Sequence, residues 1–509
     1  MTISGNFHSL RPTLLGLAAA LSLGACGGGG DSSDGNGSAI GGGDSPSLTT
    51  GTVAVLMTDA PTDAFCRIYA TVESIDLLGT SGTPTNVFVG PETVDLLQMR
   101  NYTDFFSIDT AVPIGSYEKV RLTLSDLALV ECNDAGEPEA DELWEHPRLP
   151  GNGKMDLNPR GMFEVIGGET LIIELDMDMN KSLHVHQTGN GRWQFRPVIF
   201  VTIRPDDMKL VRVYGRVGNL GDNAFNLCPV EPASSTDDDG AVAGTECIEV
   251  FDLGNASIFN ETGTPVGPGI IANDDLLTAT GFLGLHDDSD GDSRMDDLRL
   301  DPVVIEIGPL GTFQRVRGAV VSALGNNDVF EFDGALLDPA AGVFDVLFQR
   351  DVVEGYESTR IYALGSNQPL TLAALQPGTE GEVSGVFTNP LTSGEPLKSS
   401  LIVLDQDTTP DVAILDATID TIAADNDAVP ATRRLTVDAG TLLDQCVKTD
   451  AATRYLLITE SATSSETTEI AFSDLASGNS VDVYGAADPA EPTTCVLADT
   501  IQKYVPAAP

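Results

Sequence analysis

FQRVRGAVVSALGNNDVFEF, residues 313–332, decides the fold. Apolar and polar residues alternate on both sides of a Gly-Asn-Asn-Asp turn, which predicts a strand, a short polar turn and a second strand. The same figure returns in Leu210 to Leu227 (LVRVYGRVGNLGDNAFNL) and in Val412 to Val437 (VAILDATIDTIAADNDAVPATRRLTV), at a spacing of about one hundred residues. Later stretches, Ala279 to Ile305, Gly381 to Leu404 and Val481 to Ile501, recur at matching intervals. Each copy opens on a V-x-G or V-x-x-A strand and closes on a G-x-V or V-x-V-x-G strand. Three copies of one unit are therefore expected, at 209–308, 312–405 and 409–506. Short strands of this kind protect their edges by closing into a barrel, so OB-like β-barrels are expected.

Upstream the pattern remains β but loses the repeat. Val53 to Met57 (VAVLM), Ile68 to Leu77, Val87 to Leu97, Glu118 to Leu129, Phe163 to Val165, Leu171 to Asp178 and Trp193 to Ile203 read as strands, with Thr58-Asp59-Ala60-Pro61 as a turn. A β-sandwich over 51–205 is expected, which makes the whole chain all-β, an N-terminal sandwich followed by three small barrels. Several segments come in a telling order: TDAP (Thr58 to Pro61), DLL (Asp95 to Leu97), GSYEKVRLTL (Gly115 to Leu124), Phe163-x-Val165-x-Gly167-Gly168, LDMDMNKS (Leu175 to Ser182) and GNGRWQFRPVI (Gly189 to Ile199). This order resembles the bacterial lipoprotein family catalogued as domain of unknown function 4382. The resemblance implies a β-sandwich on an exported lipoprotein and carries no catalytic residue. The chain departs from the family in Met177, where an aromatic is common, and in Cys66 and Cys132. The three repeats resemble, at the level of pattern, the small barrels catalogued as domain of unknown function 5666.

The N-terminus reads as an address. Arg11 precedes the apolar run Leu14 to Leu23, which has signal-peptide length and is too short to span a bilayer. Leu23-Gly24-Ala25-Cys26 looks like a lipobox, so residues 1–25 are expected to be cleaved and Cys26 lipidated. Gly27 after the cysteine implies an outer-membrane lipoprotein, on the periplasmic or the cell-surface face. Three acyl chains anchor stably where one is marginal. Residues 26–50, rich in Gly, Ser and Asp, cannot bury a core and form a flexible tether reaching roughly 25–30 Å.

Charge narrows the partners. The 509 residues carry 27 Lys plus Arg against 76 Asp plus Glu, a formal charge of −49. Such a polyanion repels phosphate backbones, which excludes nucleic acid. The expected partners are the membrane, through the lipid anchor, and an envelope or extracellular protein or glycan. With Cys26 lipidated, six cysteines remain. Domain boundaries favour the pairs Cys66–Cys132, Cys228–Cys247 and Cys446–Cys495, each within one unit, as suits an exported protein. None has CxxC spacing, which leaves zinc binding or redox chemistry as the lesser alternative.

Two stretches suggest ligands. His286 to Asp297 (HDDSDGDSRMDD) places Asp288, Asp290, Asp292 and Asp296 at positions 1, 3, 5 and 9 of a loop, with the Arg294 carbonyl at position 7. Alternating carboxylates in a tight loop converge the oxygens that calcium needs. Ser293 replaces the usual Gly at position 6 and Arg299 the bidentate Glu at position 12, so calcium is expected to bind weakly. The bland reading is a solvated acidic turn. His184 and His186 share one face of a strand and could chelate zinc or copper, with Asp176 and Asp178 as further ligands. The bland reading is a solvent-facing pair. No GxSxG, HExxH or GxxxxGK[ST] motif occurs. The expected function is that of a noncatalytic lipid-anchored envelope protein with a binding or structural role, stabilised by calcium. The rivals are a carboxylate-dependent hydrolase acting on glycans and a periplasmic metal-binding protein.

Overall fold

The structure is a computed structural model. It describes residues 49–505 apart from 60–64, 81–82, 100–101, 132–138, 141–142, 185–193, 204–208, 230–246, 287–296, 337–341, 351–357, 388–394, 407–410, 424–432, 441–444, 462 and 492–494. The chain is all-β; the α-helix among the described residues is the single turn Met179–Ser182.

Two sheets form the N-terminal sandwich. One runs in the order Ile199–Ile203, Thr170–Met177, Thr50–Asp59, Thr103–Pro113; the other in the order Lys154–Asn158, Gly115–Val130, Arg67–Gly79, Pro84–Asp95. Val53, Val55, Met57, Leu171, Ile173 and Leu175 face Ile68, Val72, Val120, Leu122 and Leu124 in the core between them. Ala54, Leu56 and Ile172 point the other way, into the core of the first barrel. A strand buried on both faces has no polar side to show, which is why VAVLM is uninterrupted. Two sandwich strands, Thr103–Pro113 and Lys154–Asn158, have no counterpart in the sequence reading. In the first, residues 105–110 are all only half-buried, so no apolar alternation marks it.

Three closed barrels follow. In barrel two the strands are Gln314–Val320, Val329–Leu336, Val343–Leu347, Glu380–Val386 and Leu397–Asp405. The first pairs with the second, the second with the third, the third in parallel with the fifth, the fifth with the fourth, and the fourth with the first. Barrel one closes by the same circuit through Val211–Gly218, Ala224–Pro229, Ile248–Phe251, Leu276–His286 and Asp297–Ile307. Barrel three does so through Asp411–Ile422, Arg433–Asp438, Gln445–Glu460, Ser480–Ala487 and Cys495–Val505. This is the five-stranded Greek-key circuit of the OB fold.

The repeat reaches down to single backbone atoms. The fourth strand of each barrel breaks register at a glycine: Gly281, Gly385 and Gly485. A Cβ there would lie 2.2, 2.3 and 2.1 Å from the carbonyl oxygens of Asp301, Lys398 and Leu497 on the fifth strand. Only glycine lets the two backbones approach so closely at the bulge that curls the sheet shut. Before each fourth strand, a residue at positive φ (Asp274, Gly378, Gly478) donates its amide to the carbonyl of Val217, Val320 or Ile419 in the first-strand segment.

The modules are joined edge to edge. Val211 and Arg212 of barrel one pair in parallel with Thr103 and Asp104 of the sandwich. A strand of barrel three, Ser465–Glu469, pairs in parallel with Lys154–Asn158 in the opposite sheet. Barrel two packs on barrel one and the sandwich through Tyr102, Leu210, Phe259, Val304, Tyr362 and Leu401. Residues 48–509 cluster as one compact unit.

Candidate functional site

The outer face of the first sandwich sheet carries a stripe of carboxylates. On Thr170–Met177 and the residue after it, side chains alternate, so Leu171, Ile173 and Leu175 enter the core while Glu174, Asp176 and Asp178 share the opposite face. Phe200 lies opposite Asp176 on one neighbouring strand and Thr58 on the other. Glu174 is held by Lys209 Nζ at 2.9 Å and by the Thr103 hydroxyl at 3.4 Å. Asp178 accepts from the Lys181 amide at 2.9 Å, capping the helical turn, and from Lys181 Nζ at 2.6 Å. Lys181 Nζ also stands 3.7 Å from Asp499 of barrel three, whose Tyr484 hydroxyl donates to the Lys181 carbonyl at 3.0 Å. Burial pushes the Asp176 carboxyl up to about 6; Asp178 and Glu174 add to the rise, while Lys209 and Lys181 oppose it. A carboxyl titrating there could exchange protons near neutrality. Its neighbours, however, are spent on holding the turn and barrel three.

A second buried polar cluster lies where barrels one and two meet the sandwich. Arg212 Nη2 donates to Asp104 Oδ2 at 2.6 Å and its guanidinium sits 5.4 Å from the Tyr102 ring centroid. Glu306 accepts from the hydroxyls of Ser384, at 2.7 Å, and Ser400, both of barrel two. Burial holds the Asp104 and Glu306 carboxyls above their ordinary range, with Arg212 and the two serines respectively pulling them back. It also lifts the Tyr102 phenol far above its usual value.

Barrel three is pinned by Arg196, whose Nη1 reaches Asp416 Oδ1 at 3.2 Å and Asp482 Oδ2 at 3.3 Å, and whose guanidinium lies 4.7 Å from the Tyr504 ring centroid. Lys119 Nζ and Asn158 Nδ2 both donate to Glu466 Oε1 at 2.7 Å. Beside this seam lies a niche of about 10 Å³, room for roughly one water molecule, lined by Leu157, Phe200, Arg454, Leu456 and Glu469. It falls short of the roughly 300–1,000 Å³ of small-molecule pockets. Arg454 covers Phe200 at 3.7 Å, so the niche is roofed by its own side chains.

The residues singled out from the sequence fall as follows. Cys228–Cys247 and Cys446–Cys495 are formed disulfides. Cys66 is disulfide-bonded, whereas Cys132 lies outside the described residues. Cys26, Asp288, Asp290, Asp292, Arg294, Asp296 and His186 also lie outside them. The ends of the acidic loop are described: His286 pairs with Asp297 at the close of the hairpin between the fourth and fifth strands of barrel one. His184 sits in a two-residue strand with its backbone paired to Gln194. Among the described residues, no group of three or more His, Cys, Asp or Glu side chains could hold a metal. Sequence reasoning missed Arg196, Lys209 and Arg212. Cations are scarce in this chain, so one set among apolar strand residues was the available signal.

An all-β, multi-barrel body defines only a broad class of protein. Residues 50–197 match the family model described as domain of unknown function (DUF4382), over the stretch that forms the sandwich. No curated protein and no solved structure gives a significant match.

Proposed function

We propose that this protein is a noncatalytic, lipid-anchored envelope protein whose all-β body has a binding or structural role and is stabilised by calcium. One observation carries the reading: the charged groups paired across the module junctions, with Glu174 and Asp482 buried among them, are spent on holding modules together. Asp104 with Arg212, Glu174 with Lys209, and Asp482 with Arg196 each tie one module to another. A hydrolytic carboxyl pair needs a cleft that admits substrate, whereas these carboxylates sit in packed seams. The anchor is supported by Leu23-Gly24-Ala25-Cys26. Calcium is supported by the place of the Asp288 loop, which connects the fourth and fifth strands of barrel one. That connection borders the ligand face in OB-type barrels, and a cation there would brace the rim. Metabolic labelling tests the anchor. Wild type should incorporate labelled palmitate and fractionate with outer membranes, while Cys26→Ser should accumulate as an unlabelled precursor. Equal labelling of the two would overturn the proposal.

A further inference from the structure

The disulfide Cys446–Cys495 bridges directly opposed residues on the parallel third and fifth strands of barrel three, the seam that closes that barrel. Arg434, on the second strand, lies against both sulfurs: Nε is 3.0 Å from Cys446 Sγ and Nη2 is 3.0 Å from Cys495 Sγ. The same Nη2 is 3.2 Å from Glu491 Oε2, and that carboxylate lies 3.3 Å from Cys495 Sγ. Lys448 Nζ holds Glu491 at 2.9 Å and also binds Asp488. Two cations thus balance the two carboxylates around the bond, and the cation nearest the sulfurs is Arg434. Cys495 is buried at 4% exposure, whereas Cys446 is half-buried, which makes it the more accessible residue of the pair.

We propose that Cys446–Cys495 is a thiol-exchange site for small-molecule thiols, in which Arg434 stabilises the departing Cys495 thiolate. An incoming thiolate attacks Cys446 Sγ and forms a mixed disulfide with it. The Cys446–Cys495 bond breaks, and its electron pair leaves on Cys495 Sγ beside the guanidinium. A second thiolate then attacks the small-molecule sulfur of the mixed disulfide, releases the Cys446 thiolate and departs as the oxidised small-molecule disulfide. The protein disulfide gains two electrons and two thiols lose them. A cation at the leaving sulfur lowers its proton affinity and so speeds the step. No CxxC spacing is needed, because the strand register supplies the second sulfur.

The test treats the folded, oxidised protein with reduced glutathione, traps free thiols by alkylation and maps adducts by peptide mass. Expected are a glutathione adduct on Cys446 and a reduction rate that falls about three- to tenfold in Arg434→Gln and is largely restored in Arg434→Lys. An adduct confined to Cys495 would overturn the proposal. So would an unchanged rate in Arg434→Gln, or reduction of Cys446–Cys495 only in step with Cys228–Cys247 and loss of near-ultraviolet circular dichroism. The adduct position is read on wild type, so it decides the matter even if Arg434→Gln does not fold.

Discussion

Replacing Arg196 by alanine removes the cation that links the sandwich to two aspartates of barrel three. Asp482 is 2% exposed, so its carboxylate would stay buried without the guanidinium 3.3 Å away. Stripping one partner from a buried ion pair costs about 3–5 kcal/mol. The Asp416 amide still donates to Asp482 Oδ1 at 2.6 Å, which places the cost near the lower end, about 3 kcal/mol. The second pair adds little, because Asp416 is 41% exposed and water screens it. A loss of about 3 kcal/mol corresponds to roughly a hundredfold faster exchange of the amides that open with barrel three. Hydrogen exchange read by mass spectrometry on peptides from Asp411–Ile422 and Ser480–Ala487 would measure it. Both Trp residues lie at 144 and 193, outside barrel three, so fluorescence would not. Asp482→Asn in the Arg196→Ala background should recover about 1–2 kcal/mol by removing the stranded charge. Less than a threefold change in Arg196→Ala, or no recovery in the double variant, would refute the role given to Arg196.

Three further outcomes are expected. Asp176 has a folded-state proton affinity raised to about 6, so the native state binds more protons than the unfolded state between about pH 4 and pH 6. Stability from this group is present below that window and is lost as pH rises through it. Asp176→Asn should therefore raise stability at pH 7.5 by about 1–2 kcal/mol, less than the full shift because the side chain is partly exposed, and should change nothing at pH 3.5; destabilisation at pH 7.5 would count against the burial argument. Gly385→Ala should destabilise barrel two by about 2–3 kcal/mol, since its Cβ would meet the Lys398 carbonyl oxygen at 2.3 Å; wild-type stability in denaturant titrations would contradict the bulge account. Millimolar calcium, about one to ten times a weak site's Kd of roughly 10⁻⁴–10⁻³ M, should stabilise the fold by about 0.4–1.4 kcal/mol and raise the melting temperature, and Asp290→Asn with Asp292→Asn should abolish most of the shift; an equal effect of magnesium on wild type would reduce the loop to a solvated turn.

Alternation within short segments made the strands and barrels legible. Gly485 closes a V-x-V-x-G segment (VDVYG) and Gly385 a G-x-V-x-G one (GEVSG), but Gly281 follows Leu-Thr-Ala-Thr, so no common motif marks the three glycines and only the bulges show what they share. The continuous run VAVLM was legible as a strand, but nothing local said that its second face belongs to another module. The seams were not legible, because parallel pairing of Val211 with Thr103 and of Ser465 with Met155 joins residues over one hundred and three hundred positions apart, with no local pattern to mark it. Thr103–Pro113 escaped for a related reason: its outer face is covered by other modules and so keeps no clean alternation. Of the site residues, the cysteine pairs at 228 and 247 and at 446 and 495 could be found from module boundaries alone. The guanidinium of Arg434 at the second pair could not, since it arrives from a neighbouring strand.

Whether the sandwich and barrels act as one body is measured most directly by native-state hydrogen exchange at the two seams. The Thr103 amide, bonded to the Leu210 carbonyl at 2.9 Å, and the amides of the paired segments Lys154–Asn158 and Ser465–Glu469 report on them. Edge pairing within a single cooperative unit predicts that these amides exchange about as slowly as those in the barrel strands. Exchange at the rate of exposed loops, with the barrel interiors still protected, would show separate modules on a string and contradict the account.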